Sequence, residues 1–331
     1  MFEILWFLGG SMRKGLVVPT LCLLTFLFGA VVQAQNLRIS YSGVSGQNNV
    51  IWVTYEAGLF KKYGLNTEML MIAGGVTNIQ ALMAGEIAFV YQGAASPVQA
   101  IAQNADLTII ATTYGLMPYG IVSGKGIQTA ADLKGKRVAV SRIGGIEETA
   151  IRIALDKLGV GARNVTFIQT GADPVRVAAV ESGAASAAAL APPGLFGATA
   201  RGLNLLTDLG ALKIRYPTSV ISARRTALTT ERPMAKRFLM ALTEGLHVYR
   251  SNKTLGMQAM QKYTKQTNPE ILSQSYDYFI KNTPTVPLSE LAAFENAMPT
   301  DKPTDRKPQS FYDNSILEEL VNEGFVKKVA R

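Results

Sequence analysis

A two-lobed α/β protein is the fold class this sequence predicts, and three observations predict it. A β-α-β-α-β alternation opens the chain after residue 35, the same alternation returns in the middle of the chain, and the last third is helical. Strands alternating with helices give mostly parallel sheets covered on both faces, and two such runs give two similar lobes.

The elements follow in order. Arg38 to Ser42 reads as a strand, Asn48 to Lys62 as a helix, and Thr67 to Ile72 as a second strand. The helix closes at Gly64, where glycine adopts the left-handed conformation that ends a helix. Val76 to Ala84 is a second helix, followed by Gly85 and the apolar strand Ile87 to Tyr91. The grammar then repeats as strand Arg137 to Ser141, helix Ile146 to Leu158, strand Val165 to Gln169, helix Pro174 to Ser182 and strand Ala185 to Leu190. Gly64 recurs as Gly159 and Gly85 as Gly183, 95 and 98 residues on.

Between the runs lie the strand-like segments Ile109 to Thr113 and Tyr119 to Val122, and after the second run Leu203 to Thr207 and Thr218 to Ser222. From Glu231 the pattern is helical, at Met234 to Arg250, Leu255 to Thr264, Pro269 to Ile280, Leu288 to Ala297 and Ser315 to Glu323. This tail is expected to pack back on the first lobe, so the chain crosses between lobes twice, near 113 to 120 and near 214 to 220, and the crossings form a hinge. The resulting division is 35–120 for the first lobe, 121–217 for an inserted second lobe, and 218–331 for the return.

Residues 1–34 read as an address. Arg13 and Lys14 precede a 17-residue uncharged run from Leu16 to Val32, and Val32-Gln33-Ala34 offers small residues where a signal peptidase cuts. The alternative is an uncleaved anchor, against which stand Pro19 and the lack of a basic flank after Ala34. Met12, directly before the basic pair, fits a start better than Met1. Cys22 lacks the preceding small residue of a lipidated cysteine. The chain after Ala34 has no cysteine, which suits a bacterial periplasm better than a disulfide-stapled secreted domain.

Composition then narrows the function. The 331 residues, 48% hydrophobic and 17% charged, describe a globular chain. One histidine, His247, and one cysteine, Cys22, leave zinc clusters, Cys/His catalysis and disulfides without their parts, so no metal is expected. The net charge is +9, or +8 without the leader. Its basic pairs, such as Lys61-Lys62 and Arg224-Arg225, are scattered without interleaved aromatics, so no nucleic acid is expected. No Walker pattern and no G-x-G-x-x-G after a strand occurs, so no cofactor is expected. His247 lies inside a late amphipathic helix and reads as a packed or surface imidazole. Trp52, one turn into the first helix, reads as core, with ligand stacking the alternative.

Ligands of parallel α/β sheets bind beyond the carboxyl ends of the strands, where backbone N–H groups and helix N-termini point outward. The candidate loops are Gly43 to Asn49, Gln92 to Ser96, Ser141 to Gly145, Thr170 to Asp173 and Ala191 to Gly194. Small residues and hydroxyls let the backbone approach a ligand and offer it neutral hydrogen bonds. Ser141-Arg142-Ile143-Gly144-Gly145 is the most informative, because an anion there meets both a helix dipole and a guanidinium. Alternatively Arg142 points to solvent or pairs with Glu147 or Glu148. None of these loops contains a lysine to activate a serine, which argues against catalysis.

Three segments carry a family resemblance: Glu56 to Leu65 (EAGLFKKYGL), Gln80 to Ile87 (QALMAGEI) and, most specifically, Ala131 to Arg142 (ADLKGKRVAVSR). Arg201-Gly202-Leu203, Leu206 to Leu209 and Phe311 to Ser315 add to them. Over nearly the whole chain after the leader, the sequence resembles the nitrate/taurine/sulfonate class of periplasmic substrate-binding proteins of ABC importers, a class that includes proteins similar to thiamine-pyrimidine precursor binders. The resemblance implies a Venus-flytrap, type II periplasmic-binding-protein fold with two crossing hinge strands. It implies a monomeric periplasmic receptor that is not an enzyme, closes on a small solute and docks on a membrane permease. By motif position the ligand-binding residues would be Ser45, Gln47, Asn48, Gly93 and Ala94 from the first lobe, Tyr119 (or Tyr114) near the hinge, and Ser141, Arg142, Gly144, Gly145, Thr170 and Pro192 from the second.

The sequence departs from the family's pattern at Ala88 and Ser186, where members often carry aspartate, and at Asn49, where they carry proline. Asn49 adds a donor and an acceptor beside the cleft, which weakens transfer of ligand identity. Arg142 at a glycine-rich helix start favours a small organic anion. The competing readings are a sensor or a pyrimidine-synthase-like enzyme on the same fold, which would need histidine near the site.

Overall fold

Ten strands assort into two five-stranded sheets in the computed structural model, which describes residues 37–299 and 304–330. The leader and its cleavage site lie outside the described residues.

The first lobe opens with β1 (Leu37–Tyr41), α1 (Asn49–Glu56), α2 (Leu59–Lys62), β2 (Thr67–Met71), α3 (Gly75–Met83), β3 (Phe89–Gln92), α4 (Ala95–Ala102) and β4 (Leu107–Leu116). The second holds β5 (Gly120–Ser123), β6 (Arg137–Val140), α5 (Ile146–Lys157), β7 (Thr166–Gln169), α6 (Asp173–Glu181), β8 (Ala187–Leu190), α7 (Gly194–Ala200) and β9 (Asn204–Asp208). The return begins with β10 (Arg215–Arg224) and continues through α8 (Arg232–Ser251), α9 (Lys253–Thr264), α10 (Pro269–Ile280), α11 (Leu291–Glu295), α12 (Ser315–Asn322) and α13 (Phe325–Val329).

The sheet orders are β2-β1-β3-β10-β4 and β7-β6-β8-β5-β9. In each, a βαβαβ unit supplies three parallel strands, and the strand arriving from the other lobe pairs antiparallel as the fourth. This is the two-lobed α/β architecture with two crossing strands. The crossings lie side by side at 117–119 and 209–214, joined by Met117 N–H to Ile214 O (3.0 Å) and Leu209 N–H to Tyr119 O (2.9 Å). The second crossing falls ahead of the expected 214 to 220, because Arg215 already pairs with Leu116 in the first sheet. Pro217 is accommodated in β10 by a register shift between Arg215 and Ser219, where the missing N–H costs no ladder bond.

Two local expectations change. The helix expected over 48–62 breaks at Gly58, whose φ of 67° only glycine adopts without strain, so α1 and α2 are separate. α4 and α7 are helices beyond those the sequence pattern predicts.

Trp52 is core: it has no exposed surface, stacks on Tyr263 at 4.8 Å and meets Tyr41 edge-on at 5.7 Å. Behind it, Phe89 and Phe238 stack at 4.0 Å and tie the first sheet to α8. Burying such rings is worth about 3–5 kcal/mol each against alanine, which fixes the scaffold on which the strand-end loops sit.

Candidate functional site

The carboxyl ends of β1, β2 and β3 face those of β6 and β7 across a cavity of about 230 Å³. The first lobe contributes a neutral wall. Ser42 to Ser45, Gln47 and Asn48 follow β1, Ala73 to Gly75 follow β2, and Gly93, Ala95 and Ser96 follow β3. The second lobe contributes Ser141, Arg142, Gly145, Ile146, Glu147, Gln169, Gly171, Ala172, Asp173 and Arg176.

Close approach across the cleft requires glycine at three places. A Cβ at Gly74, whose φ is 88°, would stand 2.7 Å from Arg142 Nε, and one at Gly93 2.7 Å from Ile146 Cδ1. One at Gly46 would stand 2.8 Å from the Pro192 carbonyl, to which the Gly46 N–H donates at 2.9 Å. Arg142 also reaches over the cleft and donates from Nη1 to Thr77 Oγ1 on α3 at 2.6 Å. The lobes are thus bonded to each other around the cavity.

Of the residues selected from the sequence, Ser45, Gln47, Asn48, Gly93, Ser141, Arg142 and Gly145 line the cavity. Five others stand behind it. Ala94 is buried in the core at the start of α4, its N–H given to Pro217 O. Tyr119 is 1% exposed and accepts a hydrogen bond from Gln47 Nε2 at 3.2 Å, so it backs the wall instead of forming it. Gly144 turns the chain with φ 75° and donates to Glu148 Oε2 at 2.8 Å. Thr170 N–H is held by Val140 O at 2.9 Å, and Pro192 meets the first lobe through its carbonyl. Tyr114 packs edge-on against Phe279 at 5.3 Å.

The second-lobe wall also holds an ion cluster that is not among the candidates from the sequence. Arg176, 2% exposed, donates from Nη1 to Gly171 O at 2.6 Å and from Nη2 to Asp173 Oδ1, with Glu147 Oε1 3.8 Å away. Ser141 Oγ donates to Glu147 Oε2 at 2.7 Å. Burial, helped by Glu147, holds the Asp173 carboxyl above its ordinary value against the pull of Arg176. Burial opposes the Arg176 cation, but Asp173 and Glu147 outweigh it and raise its pKa. Burial also pushes the Tyr119 hydroxyl well above its ordinary value, with the Glu147 charge adding to it. The available signals were the Asp173-x-x-Arg176 spacing at a helix start and the Gly74-Gly75 pair after β2. Arg142 takes neither of its sequence-level alternatives, since Glu148 is bonded to Arg152 (2.6 Å) and Glu147 to Ser141.

Among the described residues no group of histidine, cysteine, aspartate and glutamate could hold a metal ion, and no helix is long and apolar enough to cross a membrane. His247, on α8, has its pKa lowered by burial.

Comparison with known proteins agrees with this architecture. Residues 47–253 match the family model described as NMT1/THI5 like. A protein of Brucella abortus (strain 2308) named as a binding protein is 27% identical over 233 residues, 69% of this chain and 71% of that one. A solved structure from Bordetella bronchiseptica RB50 superposes with a TM-score of 0.78 at 17% identity, covering 87% of this chain and 97% of that chain. The periplasmic aliphatic sulphonate binding protein SsuA from Escherichia coli superposes with a TM-score of 0.63 at 21% identity, covering 79% and 85%.

Proposed function

The chain belongs to the NMT1/THI5-like family, and on that premise we propose that it is the solute-binding receptor of an ABC importer. It is exported to the periplasm, captures a small organic solute between lobes that we divide at the two crossings, and delivers it to a membrane permease without chemical change. The observation that carries this reading is a cavity with walls from both lobes. A ligand can favour closure only through contacts made in the closed state, and here both lobes supply them.

The polar atoms support the same reading. Ser45 Oγ and Gln47 Oε1, both on cavity-lining residues, are buried and have no hydrogen-bond partner among the described residues. Buried polar groups in native proteins are almost always satisfied, so unpaired ones at a cleft are where a solute or its water belongs. Arg142, a cation at the end of β6, favours a solute with an acidic group.

The test is a thermal-shift screen of residues 35–331 against sulfonates, nitrate, carboxylates and pyrimidines. Solute at a hundred times its dissociation constant adds about 2.7 kcal/mol, an easily read shift. Arg142→Ala is expected to weaken an acidic ligand by roughly 1.5–3 kcal/mol. Turnover of a bound compound would replace the receptor by an enzyme, and silence of the whole panel after refolding from denaturant would count against solute capture.

A further inference from the structure

Half of the positive excess carried by the chain after its leader sits away from the cleft, at the far end of the second lobe. Lys125 follows β5, Lys134, Lys136 and Arg137 lead into β6, Arg163 precedes β7 and Arg201 follows α7, and all six are exposed. The carboxylates among them are Asp132 and Glu181, so six cations against two acids leave four of the eight positive charges. The strand ends bring these residues together. Thr166 N–H donates to Lys136 O at 2.9 Å, Ser186 N–H donates to Arg137 O at 2.8 Å, and Ser123 at the end of β5 pairs with Ala187. Between them runs an open groove of about 600 Å³ that Lys125, Lys136, Glu181 and Arg201 line. It lies at the amino ends of β6 and β8 and shares no residue with the cleft.

Both carboxylates are already engaged. Glu181 accepts from Arg201 Nε at 2.9 Å. Asp132 accepts from the Thr129 N–H at 2.8 Å and the Gln128 N–H at 3.1 Å, and Lys136 acts on it through its charge alone. Lys125, Lys134, Lys136, Arg137 and Arg163 make no ion pair among the described residues, whose only ion pair at this end is Arg201 with Glu181. The floor of the groove has the opposite sign. α6 and α7 end in it, at Ser182-Gly183 and Arg201-Gly202, and a helix C-terminus presents carbonyls with partial negative charge. A small anion seated on that floor would be repelled by it. Exposed cations on long stems above it suit an extended anionic surface that meets their tips.

We propose that the far end of the second lobe docks on anionic phospholipid headgroups. On the exported-receptor reading above, on which this inference rests, they belong to the membrane that holds the permease. Such attraction is summed over several cations and weakened by salt. It leaves the cleft, at the other end of the same sheet, open to solute, and it lets the receptor search for its permease along a surface instead of through a volume.

The experiment is co-sedimentation of residues 35–331 with vesicles of phosphatidylcholine alone and of phosphatidylcholine mixed with phosphatidylglycerol. Binding to the anionic vesicles is expected to be at least about tenfold tighter and to fall steeply with added sodium chloride. The triple variant Lys125→Gln, Lys134→Gln, Lys136→Gln is expected to lose at least about tenfold of that affinity, with circular dichroism checking its fold. If it does not fold, Lys136→Gln alone, expected to lose about fivefold, takes its place. Lys61→Gln, Lys327→Gln, Lys328→Gln removes the same charge from exposed sites of the first lobe and its return, and is expected to change binding less than about twofold. Equal losses in the two triple variants would mean that only net charge is read, and equal binding to both vesicles that no headgroup charge is read. Either result overturns the proposal. Release by inorganic phosphate, at an ionic strength where chloride leaves the protein bound, would make the groove a free-phosphate site and overturn it too. None of these outcomes depends on the thermal-shift screen, whose failure falls on the receptor reading alone.

Discussion

The two walls of the cleft grow from the same strand grammar and end in opposite surfaces. In each lobe three parallel strands are joined by one antiparallel arrival, and the loops after β1, β2 and β3 face those after β6 and β7 across the cavity. Yet the first lobe offers hydroxyls, amides and glycines without a charge, and the second offers Arg142, Glu147, Asp173 and Arg176. The difference separates two tasks that one wall performs poorly. A wall of small residues lets backbone and guanidinium pack closely, as Gly74 does under Arg142. A wall that reads charge must first hold its own ions fixed, and Arg176 is held by its neighbours in a site with almost no solvent contact.

Because only one wall carries buried ions, the walls differ in what a truncation costs. Asp173→Ala strips Arg176 of its tightest partner, and breaking a buried pair costs about 3–5 kcal/mol, since it strands the remaining charge. Ser45→Ala on the opposite wall removes a hydroxyl that has no partner among the described residues, so the change is expected within about 0.5 kcal/mol. Urea unfolding of both variants checks this. Similar losses for the two would erase the distinction between the walls.

The contact between the walls comes next in size. Thr77 does not line the cavity, so Thr77→Val tests the Arg142 bridge without altering the wall itself. Loss of a half-buried hydrogen bond to a charged group is expected to cost the closed state about 1 kcal/mol. That is roughly a fivefold change in its population. Small-angle scattering of the solute-free variant is expected to show a larger radius of gyration than the unsubstituted protein, and solute affinity is expected to fall in proportion. An unchanged radius would reduce Arg142 to a residue of one wall.

The walls also differ in how far the sequence disclosed them. Strand ends are legible because glycine and apolar runs mark them, so most of the loops were found. The helix α4 was hidden because Pro97 mimics a break, although proline is tolerated in a helix's first turn, and α7 because two glycines interrupt its seven residues. Arg176 was hidden for a different reason. An arginine inside an amphipathic helix reads as solvated; its bonded partners Gly171 and Asp173 are local, but Glu147, the second carboxylate of the cluster, is 29 residues away in sequence and close only in the folded sheet. Arg142 shows the same limit, since its partner Thr77 is 65 residues away in the other lobe. Pattern places backbones, but only topology decides which charges meet.

The smallest expected effect concerns two acids, one in each lobe, that titrate with opposite sign. Burial works to raise Glu56, but hydrogen bonds from Lys262 and Tyr263 outweigh it and hold the carboxyl below its ordinary 4.5. Its contribution to stability is present above that value and is lost as pH falls through the folded-state pKa, because the unfolded chain then binds more protons. Asp173 runs the other way: raised above 3.8, it keeps a proton that the unfolded chain has shed, so its contribution is full below 3.8 and is lost as pH rises through the folded-state value. Glu56→Gln is therefore expected to flatten the loss of stability on acidification below about pH 4.5, and Asp173→Asn to remove the gain in stability that acidification brings between the folded-state pKa of Asp173 and about pH 3.8. Unfolding free energies measured across that range check both slopes. Equal slopes for the two variants would mean that the Asp173 carboxyl is as well solvated as the surface, and the second lobe's wall would lose the buried character that distinguishes it.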